Sequence, residues 1–349
     1  MLRVIMRRLA TGVCGRNRRG YMNGMDLANA VNTGMDRSIA LGYGNVGLLI
    51  RRRLPGWPAD PPPMNGKLVV VTGAASGLGL AAAQGFAELG ADVVGVVRSH
   101  ARARDLDEIV SRDFGSAGAH VTSMVCDVSS VRSIRDFAGR LGEHSGRVDV
   151  LVNNAGVMPD ERQESEDGVE LTFATHVLGP YVLTHALAGM LHDGGRVINV
   201  TSGGMYSQRL PADDLQTERA GYNSKKVYAQ TKRAQMIVTE QLAESLGGRG
   251  IIVHAMHPGW ADTPGVRQWL PVFRVITRPI IRTPEQGADT IVWLGGAPEA
   301  AQSTGRLWQD RVQRPTHYLS RTRESDEDRK TLLAAVTDLA GAQSAATER

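Results

Sequence analysis

One stretch constrains this chain more than any other. The apolar run Leu68-Val69-Val70-Val71 stops in the turn Thr72-Gly73-Ala74-Ala75-Ser76-Gly77-Leu78-Gly79, and an alanine-rich helical pattern to Gly90 follows at once. Strand, glycine turn and helix in immediate succession form the context that a dinucleotide fingerprint requires. Gly73 suits the tight turn off the strand, Gly77 lets backbone N–H groups approach a pyrophosphate, and Gly79 lets the helix pack closely on the sheet. The helix N-terminus favours the phosphate charge. The spacing is Gly-x-x-x-Gly-x-Gly rather than Gly-x-Gly-x-x-Gly. Taken alone, such a turn is as readily conformational as functional.

The chain beyond it alternates. Strand patterns lie at 67–72, 92–97, 120–126, 148–152, 195–201, 250–256 and 304–309, and helical patterns at 77–90, 101–112, 130–143, 169–191, 225–246 and 284–296. Alternation of this kind demands a parallel sheet with crossovers. The expected fold is α/β, a doubly wound parallel sheet of about seven strands (Rossmann) with helices on both faces and appendages at both ends. Helix 225–246 carries an apolar face (Ala229, Ala234, Ile237, Val238, Leu242) that reads equally as core or as a subunit contact, so monomer and homo-oligomer both stay open.

Four segments follow from composition. Residues 1–24 hold six arginines and no acid, which fits a disordered basic leader, a transit-like tail or translation begun upstream of the true start. Residues 25–63 form an arm and linker. Within it, 35–57 combines Ile39, Leu41, Tyr43, Val46, Leu48, Leu49 and Ile50 with Arg51-Arg52-Arg53, suiting either a membrane surface or the chain's own domain; Pro58, Pro61, Pro62 and Pro63 follow. Residues 64–312 are expected to form the Rossmann domain that carries the glycine turn, and 313–349 a C-terminal extension with a surface helix from Arg323–Lys330 to about Leu339.

Composition narrows the class. The net charge of +4 across 349 residues, without a dense basic stripe in the core, argues against nucleic acid. Two cysteines, Cys14 and Cys126, show no zinc-type spacing, so no metal is expected and a reducing cytoplasm is the natural compartment. No apolar run reaches the length of a spanning helix.

Chemistry gathers at strand ends. After the second strand stands Arg98, where an acid would mark NAD(H); arginine suits a 2′-phosphate, so NADP(H) is favoured. Asp127-Val128 ends the third strand, where Asp127 can meet the adenine or cap the next helix. Asn153-Asn154-Ala155-Gly156 ends the fourth, stitching loops or lining the crevice. Two Tyr-x-x-x-Lys pairs, Tyr222/Lys226 and Tyr228/Lys232, would each share a helix face. A nearby ammonium lowers a tyrosine pKa towards working pH, as an acid–base tyrosine needs. The strand before them delivers Ser202.

Thr72-Gly73-x-x-x-Gly77-x-Gly79, Asn153-Asn154-Ala155-Gly156, Ser202, Tyr-x-x-x-Lys and His257-Pro258-Gly259 together resemble the short-chain dehydrogenase/reductase family, in its order, over about Gly66 to Asp310. Thr201–Met205, Tyr228–Arg233, Met256–Gln268, Glu285–Thr290 and Gln309-Asp310-Arg311 resemble one branch of it. The resemblance implies Tyr228 as acid–base, Lys232 lowering its pKa and holding the nicotinamide ribose, and Ser202 binding the substrate oxygen; Tyr222 lacks the fuller pattern. It implies a cofactor cradle of Thr72, Gly73, Ser76, Gly77, Leu78, Gly79, Arg98, Asp127, Val128, Asn154, Ala155 and Gly156, completed by Tyr228, Lys232, Pro258, Gly259 and Thr263. The insert Tyr206 to Gly221 is expected as a loop beside the substrate. His176 stands where the family usually has asparagine, and reads equally as a proton relay or a satisfied buried histidine.

The expected activity is hydride transfer between NADP(H) and a carbonyl/alcohol pair. The apolar segment Trp260 to Ile276 would cover the substrate and suits a lipophilic one. The rival is a nucleotide-binding regulatory or membrane-associated protein with little turnover. It predicts tight NADPH binding without oxidation.

Overall fold

The computed structural model describes residues 34–35 and 42–347. The basic leader, and Ile39 and Leu41 of the arm, lie outside the described residues.

A seven-residue helix, α1 (Asn45–Arg51), precedes the sheet. Then come β1 (Leu68–Thr72), α2 (Gly77–Glu88), β2 (Asp92–Val97), α3 (His100–Asp113), β3 (Val121–Val125), α4 (Val131–His144) and β4 (Val148–Asn153). A helical turn, Leu171–Phe173, and a π-helical segment, Ala174–Leu178, lead into α5 (Gly179–Ala186). The rest is β5 (Leu191–Val200), α6 (Ser224–Gly247), β6 (Ile252–Met256), α7 (Pro264–Trp269), α8 (Pro271–Thr277), α9 (Pro284–Gly296), β7 (Arg306–Gln309), β8 (Val312–Arg314) and α10 (Asp326–Thr347).

The sheet order is β3-β2-β1-β4-β5-β6-β7-β8, parallel throughout except for the antiparallel β7–β8 pair. Helices cover both faces, so the central strands β1, β2 and β4 are buried on both sides and read as near-continuous apolar runs. Alternate residues divide between two cores. Val69, Val71, Val93 and Val97 pack against α2, α3 and α9, while Val70, Val94 and Val96 pack against α4, α5 and α6. Burying one such valine contributes roughly 1.5–3 kcal/mol. Strand order reverses between β1 and β4, which opens a crevice at their carboxyl ends, the ligand position in open α/β sheets.

Several expectations are corrected. An eighth strand joins the seven. The hairpin between β7 and β8 turns on Asp310 (φ 53°) and Arg311 (φ 56°), two non-glycine residues in the left-handed region. The helical pattern 169–191 is broken by the π segment and ends at Ala186, and β5 starts four residues early, at Leu191. Where the π segment ends, Gly179 lies against the loop after β3: a Cβ there would meet the Val128 carbonyl oxygen at 2.1 Å. The apolar face of α6 is core of this chain, its five residues all buried. The C-terminal helix is not merely superficial. Leu332 and Val336 of α10 are fully buried, and Arg329 pairs with Glu240 of α6 at 2.6 Å.

The arm packs on its own domain. Leu48 is fully buried, the Asn45 N–H donates to Ile280 O (2.7 Å), and the Trp260 N–H donates to Tyr43 O (2.9 Å). Further along, Trp57 lies under the Arg311 guanidinium, 5.1 Å from the ring centre. Among the described residues no helix is long and apolar enough to cross a membrane, and no cluster could hold a metal ion. Cys126 is a buried free thiol just beyond β3, pushed up to about 12 by burial.

Candidate active site

The glycine turn lies where β1 meets the crevice. Gly73 has φ +70°, and a Cβ on Gly79 would fall 2.3 Å from the Gly73 carbonyl oxygen, so the turn closes only without side chains. Ser76 is the N-cap of α2 but makes no side-chain cap hydrogen bond, which leaves first-turn N–H groups for another acceptor. A pyrophosphate fits that cradle. Thr263, from the loop after β6, closes against the turn: a Cβ on Gly77 would lie 3.2 Å from its side chain.

Thr72 ties this turn to the end of β4. Its Oγ1 accepts from the Asn154 and Ala155 N–H groups (2.9 and 3.0 Å), and the Asn154 amide donates to Thr72 O at 2.8 Å. Asn154 therefore stitches the two loops, while Asn153 reaches Asn199 on β5 (2.8 Å). Gly156 is exposed at the loop's tip. At the end of β2 Arg98 is exposed and makes no ion pair among the described residues, whereas Arg102 pairs with Asp105. Asp127, also exposed, uses one carboxylate oxygen to hold the N–H and hydroxyl of Ser129 (2.9 and 2.7 Å), so the cap of α4 falls to Ser130. Val128 is buried beside it.

Ser202, Tyr228 and Lys232 converge over β5. Ser202 follows the strand and lies beside the Tyr228 phenol, whose pKa it lowers. Its Oγ also accepts the Gly204 N–H at 3.2 Å. Tyr228 and Lys232 lie one turn apart on α6, whose N-cap Asn223 accepts the Lys226 N–H. Tyr222 precedes the helix and bonds Glu170 and Thr172 instead.

The electrostatics differ from the expected pattern. Burial pushes the Tyr228 phenol up, against the opposing effect of Ser202, and burial lowers Lys232 to about 7. Lys232 Nζ, 5.8 Å from the centre of the Tyr228 ring, donates to Val200 O (2.8 Å) and Gln235 Oε1 (3.2 Å). Desolvation sets the direction of both shifts. Sequence reasoning did not single out Gln235, although its i, i+3 spacing from Lys232 was a usable signal.

His176 lies in the π segment, fully buried and edge-on to Tyr228, with ring centroids 5.3 Å apart. Its Nε2 accepts the Val157 N–H (3.1 Å), which leaves Nδ1 to donate to Thr231 Oγ1 (2.9 Å). Burial holds its pKa well below the ordinary value. Both ring nitrogens are thus engaged, and the ring is neutral.

Beyond β6, His257 is buried and takes the Gly259 N–H on Nδ1 (3.3 Å). The Pro258 carbonyl accepts from Arg282 at 3.0 Å. Helices α7 and α8 follow as a flap, tied back by Asp262, which bonds both Arg267 and Arg274. In the insert 206–221, the Tyr206 ring is buried and its hydroxyl donates to Pro315 O at 2.8 Å.

The family model described as short chain dehydrogenase matches residues 67–271. The chain belongs to the short-chain dehydrogenase/reductase family. Its members are oxidoreductases that act with a nicotinamide cofactor on alcohol/carbonyl pairs, and this chain is an enzyme of that kind. The branch suggested by the sequence is also found. The chain is 42% identical over 281 residues to Dehydrogenase/reductase SDR family member 12 of Bos taurus, covering 79% of this chain and 86% of that one. It is 33% identical to human Retinol dehydrogenase 14, covering 72% and 80%. Among solved structures, a short-chain dehydrogenase from Burkholderia cenocepacia J2315 in complex with NADP is similar with a TM-score of 0.57 at 26% identity, covering 70% and 96%.

Proposed function

We propose that this short-chain dehydrogenase/reductase is NADP(H)-dependent and acts on a lipophilic carbonyl/alcohol pair with Tyr228 as its acid–base. The observation that carries the reading is the convergence of Ser202, Tyr228 and Lys232 over β5, beside a glycine turn with uncapped N–H donors. When bound, the cofactor supplies or accepts the hydride. The glycine turn, Ser76 and Leu78 hold its diphosphate, with Thr72, Asn154, Ala155 and Gly156 shaping the adjoining wall. Asp127 and Val128 would meet the adenine, and Pro258, Gly259 and Thr263 the nicotinamide end.

In the reduction direction, Tyr228 gives its phenolic proton to the carbonyl oxygen while Ser202 holds that oxygen and stabilises its developing charge. Lys232 reprotonates or steadies the phenolate and binds the ribose. His176 acts as a positioning residue. It joins the loop at Val157 to Thr231, whose hydroxyl donates to Tyr228 O at 2.9 Å. Arg98, exposed and unpaired among the described residues, supports the 2′-phosphate preference. The flap supports a lipophilic substrate: Val272, Val275 and Ile276 of α8 are each more than 70% exposed. A retinol dehydrogenase among the relatives points the same way.

Tryptophan-quench titration tests the cofactor assignment. NADPH should bind at least about tenfold tighter than NADH, and Arg98→Ala should remove most of that difference. Preference for NADH would overturn the assignment of Arg98.

A further inference from the structure

The Gln309-Asp310-Arg311 string, singled out in the sequence but given no role by the reaction, forms a socket for the arm. Asp310 is almost fully buried and bonds two guanidiniums, Arg51 of α1 and Arg282. Gln309 donates to Gly42 O (2.7 Å), and Arg282 reaches Gly42 O and Gly44 O (3.3 and 3.2 Å). Arg311 bonds Asp289, which also takes Arg52 at 2.7 Å. Six charged groups, two from the arm and four from the domain, are thus spent on fixing one short segment.

The segment so fixed carries Tyr43 to the substrate-binding end of the sheet. A Cβ on Gly203, the residue after Ser202, would lie 3.3 Å from the Tyr43 ring. The ring is edge-on to His257 (4.9 Å) and to Trp260 (6.0 Å), and Trp260 is edge-on to Phe273 of the flap (5.1 Å). A Cβ on Gly259 would fall 2.5 Å from the Tyr43 carbonyl oxygen. A continuous aromatic wall therefore runs from the residue beside Ser202 to the flap, and its first member comes from outside the nucleotide-binding domain. Tyr43 is only half-buried.

We infer that Tyr43 is a specificity-determining residue of the active site, delivered by the N-terminal arm, and that it selects long, rigid apolar carbonyls by contact with the part of the substrate beyond the reacting oxygen. The inference rests on the oxidoreductase reading above. A substrate held at oxygen by Ser202 and Tyr228 and covered by the flap must extend past Gly203, Tyr43 and Trp260. A small aldehyde ends before reaching Tyr43; a long one lies along it. Aromatic rings supply apolar contact with little entropy to lose, which suits them to this role.

The test compares the full chain with Tyr43→Ala and Tyr43→Phe. Binding of benzaldehyde, decanal and all-trans-retinal to NADP⁺-loaded protein is measured by equilibrium dialysis, and turnover of the same three by NADPH oxidation. Tyr43→Ala should weaken retinal binding at least about tenfold while changing benzaldehyde less than about twofold, and Tyr43→Phe should stay near wild type. The retinal loss should appear in KM more than in kcat, with NADP⁺ affinity unchanged. An equal change for all three probes, or none for retinal, would overturn the inference and reduce Tyr43 to a packing residue. Selective loss of retinal binding in a protein that oxidises no NADPH would uphold Tyr43 and place the error in the assigned reaction instead.

Discussion

The ammonium of Lys232 faces the ring of Tyr228 from 5.8 Å and spends its hydrogen bonds on Val200 O and Gln235. Both groups are desolvated, so the lysine is pulled down to about 7 and the tyrosine pushed up. The pair stores instability in the free protein. A bound ribose and cofactor would give Lys232 partners that favour its charged form.

The sign of the pH effect follows. The folded lysine has the lower pKa, so between about 7 and the unfolded value near 10.5 the unfolded chain binds more protons, and stability rises with pH there. Lys232→Met should therefore raise the melting temperature at pH 6, by several degrees, and the gain should shrink as pH climbs towards 10. Activity should be lost at every pH. Differential scanning calorimetry across that range reads the effect; a destabilised variant at pH 6 would contradict it.

Ser202 accepts the Gly204 N–H and lies beside the Tyr228 phenol, whose pKa it lowers against burial. Ser202→Ala should lower kcat by about 10²- to 10³-fold, as loss of an oxyanion donor does. NADPH affinity should stay within about twofold, and stability should fall by about 1 kcal/mol from the lost turn cap. Steady-state kinetics and urea unfolding separate the two effects.

Asp310 is the buried centre of the arm's attachment. Burial alone would push its carboxyl up, yet Arg282 and Arg51 hold it below the usual carboxylate range. Asp310→Asn leaves two buried guanidiniums without their counter-charge and should cost about 4 kcal/mol. Trypsin should then cut faster at Arg51-Arg52-Arg53, since release of the arm exposes them. A variant with wild-type urea midpoint and wild-type cleavage rate would show that the ion cluster does not hold the arm.

Much of this was legible because parallel strands buried on both faces leave an unmistakable mark. Val69-Val70-Val71 and Val93-Val94 could only be interior strands, and the turn from Thr72 to Gly79 set the direction of the crevice. What could not be read depends on distant partners. Helix α1 is seven residues long and its buried Arg51 finds Asp310 only after 259 positions of chain. Strand β8 has three residues, and its turn lacks the glycine or asparagine that usually announces positive φ. The two flap helices did leave a sign, since Pro264 and Pro271 each open a helix, but proline reads first as a breaker. The Tyr228 and Lys232 titrations depend on desolvation, which spacing alone does not report.

The most direct test follows NADPH oxidation at 340 nm with all-trans-retinal, decanal and benzaldehyde, for the full chain and for Tyr228→Phe side by side. Loss of an acid–base group should lower kcat by about 10²- to 10⁴-fold, with NADPH binding by tryptophan quenching left intact. Turnover that survives in Tyr228→Phe at the wild-type rate would contradict the assignment of the proton to this tyrosine, and with it the account of the site.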